Sequence, residues 1–516
     1  MASAPLAAPA EPVRRTNPQE GAGLRGRGRE LQNIGALLCG QGITWIFSFL
    51  LTLYLPRFLG DANLGKLTFA SSLAEMTREF VLLGTSTFLV REIARDRQKL
   101  ASYLGHALVI RIVASGVVGA VTVALVHGWA MPPDTARVLY LVMGGALIGM
   151  IRQGFQSALQ GMERLRELTW GNIAEKGVST ALIVALLLSG YGVVPVAAAL
   201  ALGAAINLAL SIYLLARERS LQFSVDRRLF AVVVAGGAPF LTFNLLRGVY
   251  AWVDVPMVTL MIGQQAAEPV LGWYGAALRL SHTFAFLPTI VVMALLPSLA
   301  RDFHADRERF VLGAQKSLQL VAVASVPITV GCLMLGGPLV ALLQYGDSFR
   351  GTVPVLQVLG IGTLWTYVAV VMGTLLVAAD RQRAMCWIAG ATLAFNVLAN
   401  VPAIPWAHAH LGNAAIGAAA TTALTEVFCV AGFMRVLPAG VLTRRLLGQI
   451  ARAHVAGVLL AGCFWLLAGW HVLTLVALGG IVYALAAVGL GAVGLADVRE
   501  VLASLRRRPS PELEQG

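Results

Sequence analysis

Within SSLAEMTREF, residues 71–80, three ionisable side chains (Glu75, Arg78 and Glu79) interrupt a stretch otherwise apolar enough to cross a membrane. With Thr68, Ser71 and Ser72 they follow helical spacing along one face. The pattern recurs downstream. Asn244, Arg247 and Asp254 fall at i, i+3 and i+10, Arg279 and His282 at i and i+3, and Arg152, Gln156 and Gln160 at i, i+4 and i+8. Arg111 and Glu426 stand singly in two further apolar stretches. An Arg or Asp facing lipid at mid-membrane costs about 2.5–3.5 kcal/mol on insertion scales, so such residues must face one another or water. Local pairing of Arg78 with Glu75 or Glu79 answers part of this. Arg111, Arg152, Arg247 and Arg279 have too few acids on their own helices. Unpaired guanidinium forks lining a water-filled cavity attract an anion, and their planar geometry suits phosphate. The expected chemistry is therefore binding and passage of a charged cargo. Glu75, Glu79, Asp254 and Glu426 would serve either in ion coupling or in structural ion pairs, with Asp254 the leading coupling candidate.

The elements that position these residues are membrane helices. Of 516 residues, 57% are hydrophobic and only 13% charged, and the mean hydropathy is +0.75. A soluble chain of this length needs far more charge to cover its surface. Apolar runs of about 20 residues, each able to cross a hydrocarbon core, recur from about residue 31 to 495. They predict an all-α polytopic membrane protein of about fourteen transmembrane helices. The spans fall at about 31–57, 65–90, 103–126, 136–158, 169–189, 193–216, 229–262, 271–297, 312–345, 352–378, 384–404, 413–435, 448–469 and 471–496.

The net charge of +13 could suggest nucleic acid, but its distribution argues for a membrane. Basic residues crowd alternate loops, as at Arg91–Lys99, Arg164–Arg166, Arg301–Arg309 and Arg381–Arg383, whereas 127–135, 189–193, 263–270 and 405–412 hold no Lys or Arg. This positive-inside pattern predicts that both termini are cytoplasmic. Residues 1–30 read as a disordered cytoplasmic tail and 497–516 as a second cytoplasmic tail, the first lacking the apolar core of a signal peptide.

An internal repeat organises the chain. LGKLTFASSLAEMTREFVLLGTSTFLVREIARD (64–96) aligns with LGWYGAALRLSHTFAFLPTIVVMALLPSLARD (271–302), at an offset of 207 over Leu64-Gly65 and Leu271-Gly272. It predicts two pseudo-symmetric six-helix lobes, 31–217 and 229–436, followed by two additional helices in 447–496. A substrate path belongs at the interface of such repeats. Pro239, Pro288 and Pro327 all lie in the second lobe, which is expected to bend more than the first.

Other chemistries find no support. GDANLGKL (60–67) nearly spells a phosphate-binding loop, but Leu67 stands where Ser or Thr is required, and no strand precedes it. The five cysteines are scattered singly, and His408 and His410 lack a ligand set, so neither disulfide nor metal is expected. No cofactor is expected either, and no outer loop carries a carboxylate pair for glycosyl transfer.

The residues Arg57, Leu59, Gly60 and Gly65, followed by a helix and REIARD (91–96), resemble the oligosaccharide flippases of the multidrug/oligosaccharidyl-lipid/polysaccharide superfamily. VDVPMVTLMIG (253–263), LGWYGAALRL (271–280), LLPSLARD (295–302), QYGDSF (344–349) and LLVAADRQR (375–383) extend the resemblance over roughly 31–435. The resemblance implies a V-shaped pair of six-helix lobes in a bacterial inner membrane. It implies a non-enzymatic flippase for undecaprenyl-diphosphate-linked oligosaccharide of the O-antigen or capsule type, handing its cargo to a polymerase and a chain-length regulator. It also implies a cationic lumen, matching Arg78, Arg111, Arg152, Arg247 and Arg279, with proton or sodium as coupling ion. A lipid II flippase and a cation-coupled drug exporter share the fold. A membrane polysaccharide polymerase or ligase would instead need long catalytic outer loops.

Overall fold

The structure, a computed structural model, describes residues 18–217, 227–284 and 286–494. Over these residues it is all helix, in the order α1 (Pro18–Leu82), α2 (Thr85–Arg95), α3 (Leu100–Gly128), α4 (Pro133–Gly161), α5 (Leu165–Leu188), α6 (Val193–Ala216), α7 (Arg227–Trp252), α8 (Asp254–Ile262), α9 (Gln264–His282), α10 (Phe286–Ala305), α11 (Arg307–Leu342), α12 (Thr352–Ala378), α13 (Gln382–Leu411), α14 (Ala414–Val436), α15 (Arg444–Leu466) and α16 (Val472–Gly489). Helix α1 starts at Pro18, so residues 18–30, expected as tail, carry helix instead. Leu, Arg, Gln and Glu there are good helix formers, and the following apolar span extends the helix back to Pro18. Residues 1–17 and 495–516 lie outside the described set.

Among the described residues, eleven helices are long and apolar enough to cross a membrane, or twelve if the two parts of α7 count as one span. The count agrees with the expected fourteen or so once merged and broken helices are resolved. Helix α1 holds two of them, divided at Gly60, whose φ of 73° and ψ of 171° interrupt the helix. Gly263, between α8 and α9, repeats this conformation with φ 83° and ψ 153°. Only glycine enters that region of backbone space without strain, so a glycine hinge precedes each copy of the repeat, the two lying 203 rather than 207 residues apart.

Two expected spans, 65–90 and 271–297, are each broken rather than continuous. The first breaks at Leu83 and Gly84, both at positive φ, the second between α9 and α10. A broken membrane helix frees backbone groups that must find partners inside the protein. Here Thr85 Oγ1 donates to the Leu82 carbonyl at 2.7 Å, and the Tyr367 hydroxyl donates to the Phe284 carbonyl. In α7, the parts Leu229–Gly237 and Leu241–Trp252 meet at 54°. Pro239 falls between them, its side chain outside the described set. Pro288 is buried in the first turn of α10, and Pro327 lies inside the uninterrupted α11.

Helices α1 to α6 pack together, α7 to α14 pack together, and α15 and α16 lie against α11. The main seam between the two groups runs along α1 and α9. Its core joins Leu51, Leu55, Leu64 and Leu67 of α1 to Val270, Leu271, Ala276 and Ala277 of α9. Arginine-rich turns share one end of the molecule: Arg97 reaches Glu163 at 3.3 Å and His304 meets Asp380 at 3.1 Å. At the turn into α3, Asp96 accepts the Gln98 amide at 3.0 Å, which with Lys99 holds its carboxyl below the ordinary carboxylate value. At the opposite end, Lys66, Arg137 and Arg350 are paired with Glu268, Asp134 and Asp347. The positive charge left unbalanced is thus concentrated at the first end.

Candidate functional site

Between the two helix groups lies a cavity of about 390 Å³, lined by Trp45, Ser48, Thr68 and Ser71 of α1, Lys176 of α5, and Arg279 and His282 of α9 among others. Lys176 and Arg279 approach it from opposite groups. Neither forms a hydrogen bond or ion pair among the described residues. Two cations with no direct ion pair in one cavity favour an anion between them, although Glu175 and Glu75 offset part of the charge on Lys176.

The nine charged residues singled out in the sequence part into distinct settings. Arg78 remains accessible, pairing loosely with Glu75 at 3.5 Å and donating to Gln153 Oε1 at 3.1 Å. Glu79 lies half-buried where α1 meets α7: a Cβ placed on Gly248 would stand 3.5 Å from its Cγ. Arg152 is not free. It pairs with Glu175 at 2.6 Å, and Asn207 and Gln156 complete the network by donating to Glu175 and Asn172. Arg247 is exposed and has no partner among the described residues.

Arg111 departs most from expectation. It is 0% exposed and so does not line the cavity. Its Nη2 donates to Thr85 Oγ1 at 3.0 Å and to Ser86 Oγ at 2.9 Å, and its Nη1 donates to the Met150 carbonyl at 3.0 Å. These acceptors sit at the first turn of α2 and on α4, so the guanidinium stitches the broken helix to its neighbour. A planar fork with five donors fits such a junction.

Asp254 departs too. The backbone stays helical through Val253, at φ −64° and ψ −26°, so Asp254 keeps the face of Arg247, but α9, α13 and α14 close over it and it is 5% exposed. It accepts from Thr422 Oγ1 at 2.5 Å, Asn400 Nδ2 at 2.8 Å and the Tyr274 hydroxyl at 3.0 Å. It has no ion pair among the described residues. Among the described residues, Glu426 accepts from the Tyr250 hydroxyl alone, at 2.8 Å. The two helix groups therefore treat buried acid differently. Glu175 is neutralised by Arg152, whereas Asp254 is held by neutral donors alone.

Lys176 and Glu175 were missed in the sequence, although Asn172, Glu175, Lys176 and Ser179 recur at i, i+3, i+4 and i+7. That spacing is the signal that would have found them.

Comparison with known proteins fits this architecture. Residues 31–303 match the family described as "Polysaccharide biosynthesis protein". A protein of Haloferax volcanii named "Probable flippase AglR" is 28% identical over 204 residues, 39% of this chain. The match spans 40% of that relative's length. The structure of lipid II flippase MurJ in an inward closed conformation superposes with a TM-score of 0.68 at 12% identity, covering 92% of this chain and all of that one. An inward-facing multidrug resistance transporter of the MATE family, also of the MOP superfamily, gives 0.55 at 16% identity, covering 83% and 95%. The chain belongs to the polysaccharide biosynthesis protein family and has the all-helical fold of the multidrug/oligosaccharidyl-lipid/polysaccharide superfamily.

Proposed function

We propose that the chain is a flippase that moves undecaprenyl-diphosphate-linked oligosaccharide from the inner to the outer leaflet of a bacterial inner membrane. The two helix groups act as lobes that expose the cavity alternately to either side. The observation that carries this reading is the pair of unpartnered cations, Lys176 and Arg279, facing one cavity from both lobes. An anionic group bound between them touches both moving parts, so cargo and conformation are coupled. Arg247 and Arg78 extend the cationic lining, while Arg111 and Arg152 serve the scaffold. A drug exporter for cations would be opposed by this charge. A lipid II flippase would use the same diphosphate chemistry, and the match to a polysaccharide family favours the oligosaccharide. Asp254 is the coupling carboxylate of this proposal, with proton or sodium as the ion and Glu426 as its rival. The arginine-rich end, and with it both termini, faces the cytoplasm by the positive-inside rule.

Reconstituted liposomes test the proposal. A fluorescent polyprenyl-diphosphate oligosaccharide is placed in both leaflets, and an impermeant glycosidase or quencher reports the outer one. The protein is expected to bring the inner pool outside well above the rate in protein-free vesicles. A rate equal to that background would reject the function.

A further inference from the structure

We propose that the arginine-poor end of the α1–α9 seam is the release gate, built as a reciprocal glycine clasp and latched by Glu268. The repeat offset of 207 pairs Asp61 with Glu268, Gly65 with Gly272, and Thr68 with Gly275. A Cβ on Gly65 would lie 1.7 Å from the Glu268 carbonyl oxygen, and one on Gly272 would lie 2.0 Å from the Asp61 carbonyl oxygen. Each contact is the image of the other under the repeat, so the two helices touch through the same patch used twice, as in a two-fold interface. One turn deeper, a Cβ on Gly275 would stand 2.1 Å from Thr68 Oγ1. Thr68 and Gly275 already line the cavity. The clasp is therefore the roof over the cargo site, one helical turn above it.

The chemistry of this roof suits repeated opening. At the two glycines backbone lies against backbone, so the side chains that must separate when it parts are the flanking Leu64, Leu67, Val270 and Leu271. A side chain at either glycine would hold the helices apart. The closed state carries two polar ties among the described residues: the Tyr345 hydroxyl donates to the Thr52 carbonyl at 2.7 Å, and Glu268, the charged latch, accepts from Thr135 Oγ1 at 2.7 Å and pairs with Lys66 at 3.8 Å, with the two charged side chains only 14% and 16% exposed. This latch ties α9 to α1 and α4 at once, and water can replace each of its bonds after separation. At the arginine-rich end, the Gly84–Gly237 approach lacks this symmetry, since a Cβ on Gly84 meets the Gly237 carbonyl oxygen at 2.2 Å but the repeat relates neither residue to the other.

The inference rests on the transporter reading above, and sided thiol labelling tests it separately. In the full chain with its native cysteines replaced, Ser71→Cys places one thiol in the cavity, and an impermeant maleimide is added outside intact cells. A minor open state of about 1% leaves labelling slow. Gly65→Ala and Gly272→Ala are each expected to raise the rate about tenfold or more by displacing that equilibrium. Glu268→Gln, which adds no bulk, is expected to raise it several-fold. Equal rates in the parent and in all three variants would overturn the gate. If the glycine variants do not reach the membrane, Glu268→Gln decides alone: faster labelling supports the latch and an unchanged rate rejects it. A thiol at Ala266 reports which face carries the seam. Should it label only from the outside of everted vesicles, the orientation fails while the variants, labelled from that side, still test the clasp.

Discussion

Replacing Arg247 and Arg279 together with alanine is expected to abolish transport while leaving the protein in the membrane at its normal level. A hydrogen bond to a charged partner contributes about 1.5–3 kcal/mol, so losing two such contacts lowers the rate by roughly a hundredfold or more. Neither side chain supports the scaffold, because neither forms an ion pair or hydrogen bond among the described residues. That separates them from Arg152, whose removal would strand Glu175, and from Arg111, whose removal would release the break before α2. Lysine at both positions should restore activity only in part, since an ammonium keeps the charge and loses the bidentate fork. Proteoliposome flipping and surface polysaccharide both read the result. Full activity of the double variant would end the assignment of these arginines to the cargo.

The second large effect is expected at Asp254. A carboxylate inside the membrane with three neutral donors and no cation is poised to accept a positive charge. Asp254→Asn keeps the shape and removes the charge. Flipping should then lose its response to an imposed gradient while protein level is unchanged. Separate proton and sodium gradients identify the ion, and Glu426→Gln in the same assay measures the rival. A full response in Asp254→Asn would make this residue purely structural.

Much of the fold was legible because its signals are local. Apolar runs set the spans, alternating arginines set the two ends, and Gly60 and Gly263 mark equivalent turns. Helical spacing also found charged faces, since i, i+3 and i+4 neighbours share a side. Spacing could not say what those faces meet. Arg111 and Arg279 look alike in sequence, yet one fills a pocket between α2 and α4 and the other faces open space. Arg247 and Asp254 share a helical stripe, yet Arg247 is exposed while Asp254 is covered by α9, α13 and α14, which spacing along one helix does not reveal. Glu175 was legible as a polar position but not as the partner of Arg152, which lies on another helix. Contacts between elements are set by packing, and packing is not periodic in one chain.

The central claim is that the cavity between the two helix groups recognises a diphosphate. It is tested most directly by equilibrium binding of three lipids to the purified protein: a polyprenyl diphosphate, the matching monophosphate and the alcohol. The three share the same tail, so hydrophobic burial cancels between them and only the headgroup charge differs. Binding is expected to weaken at least about tenfold at each loss of phosphate, in line with one or more charge-assisted contacts. Arg279→Ala should flatten the series. Equal affinity for all three lipids in the unmodified protein would contradict the account.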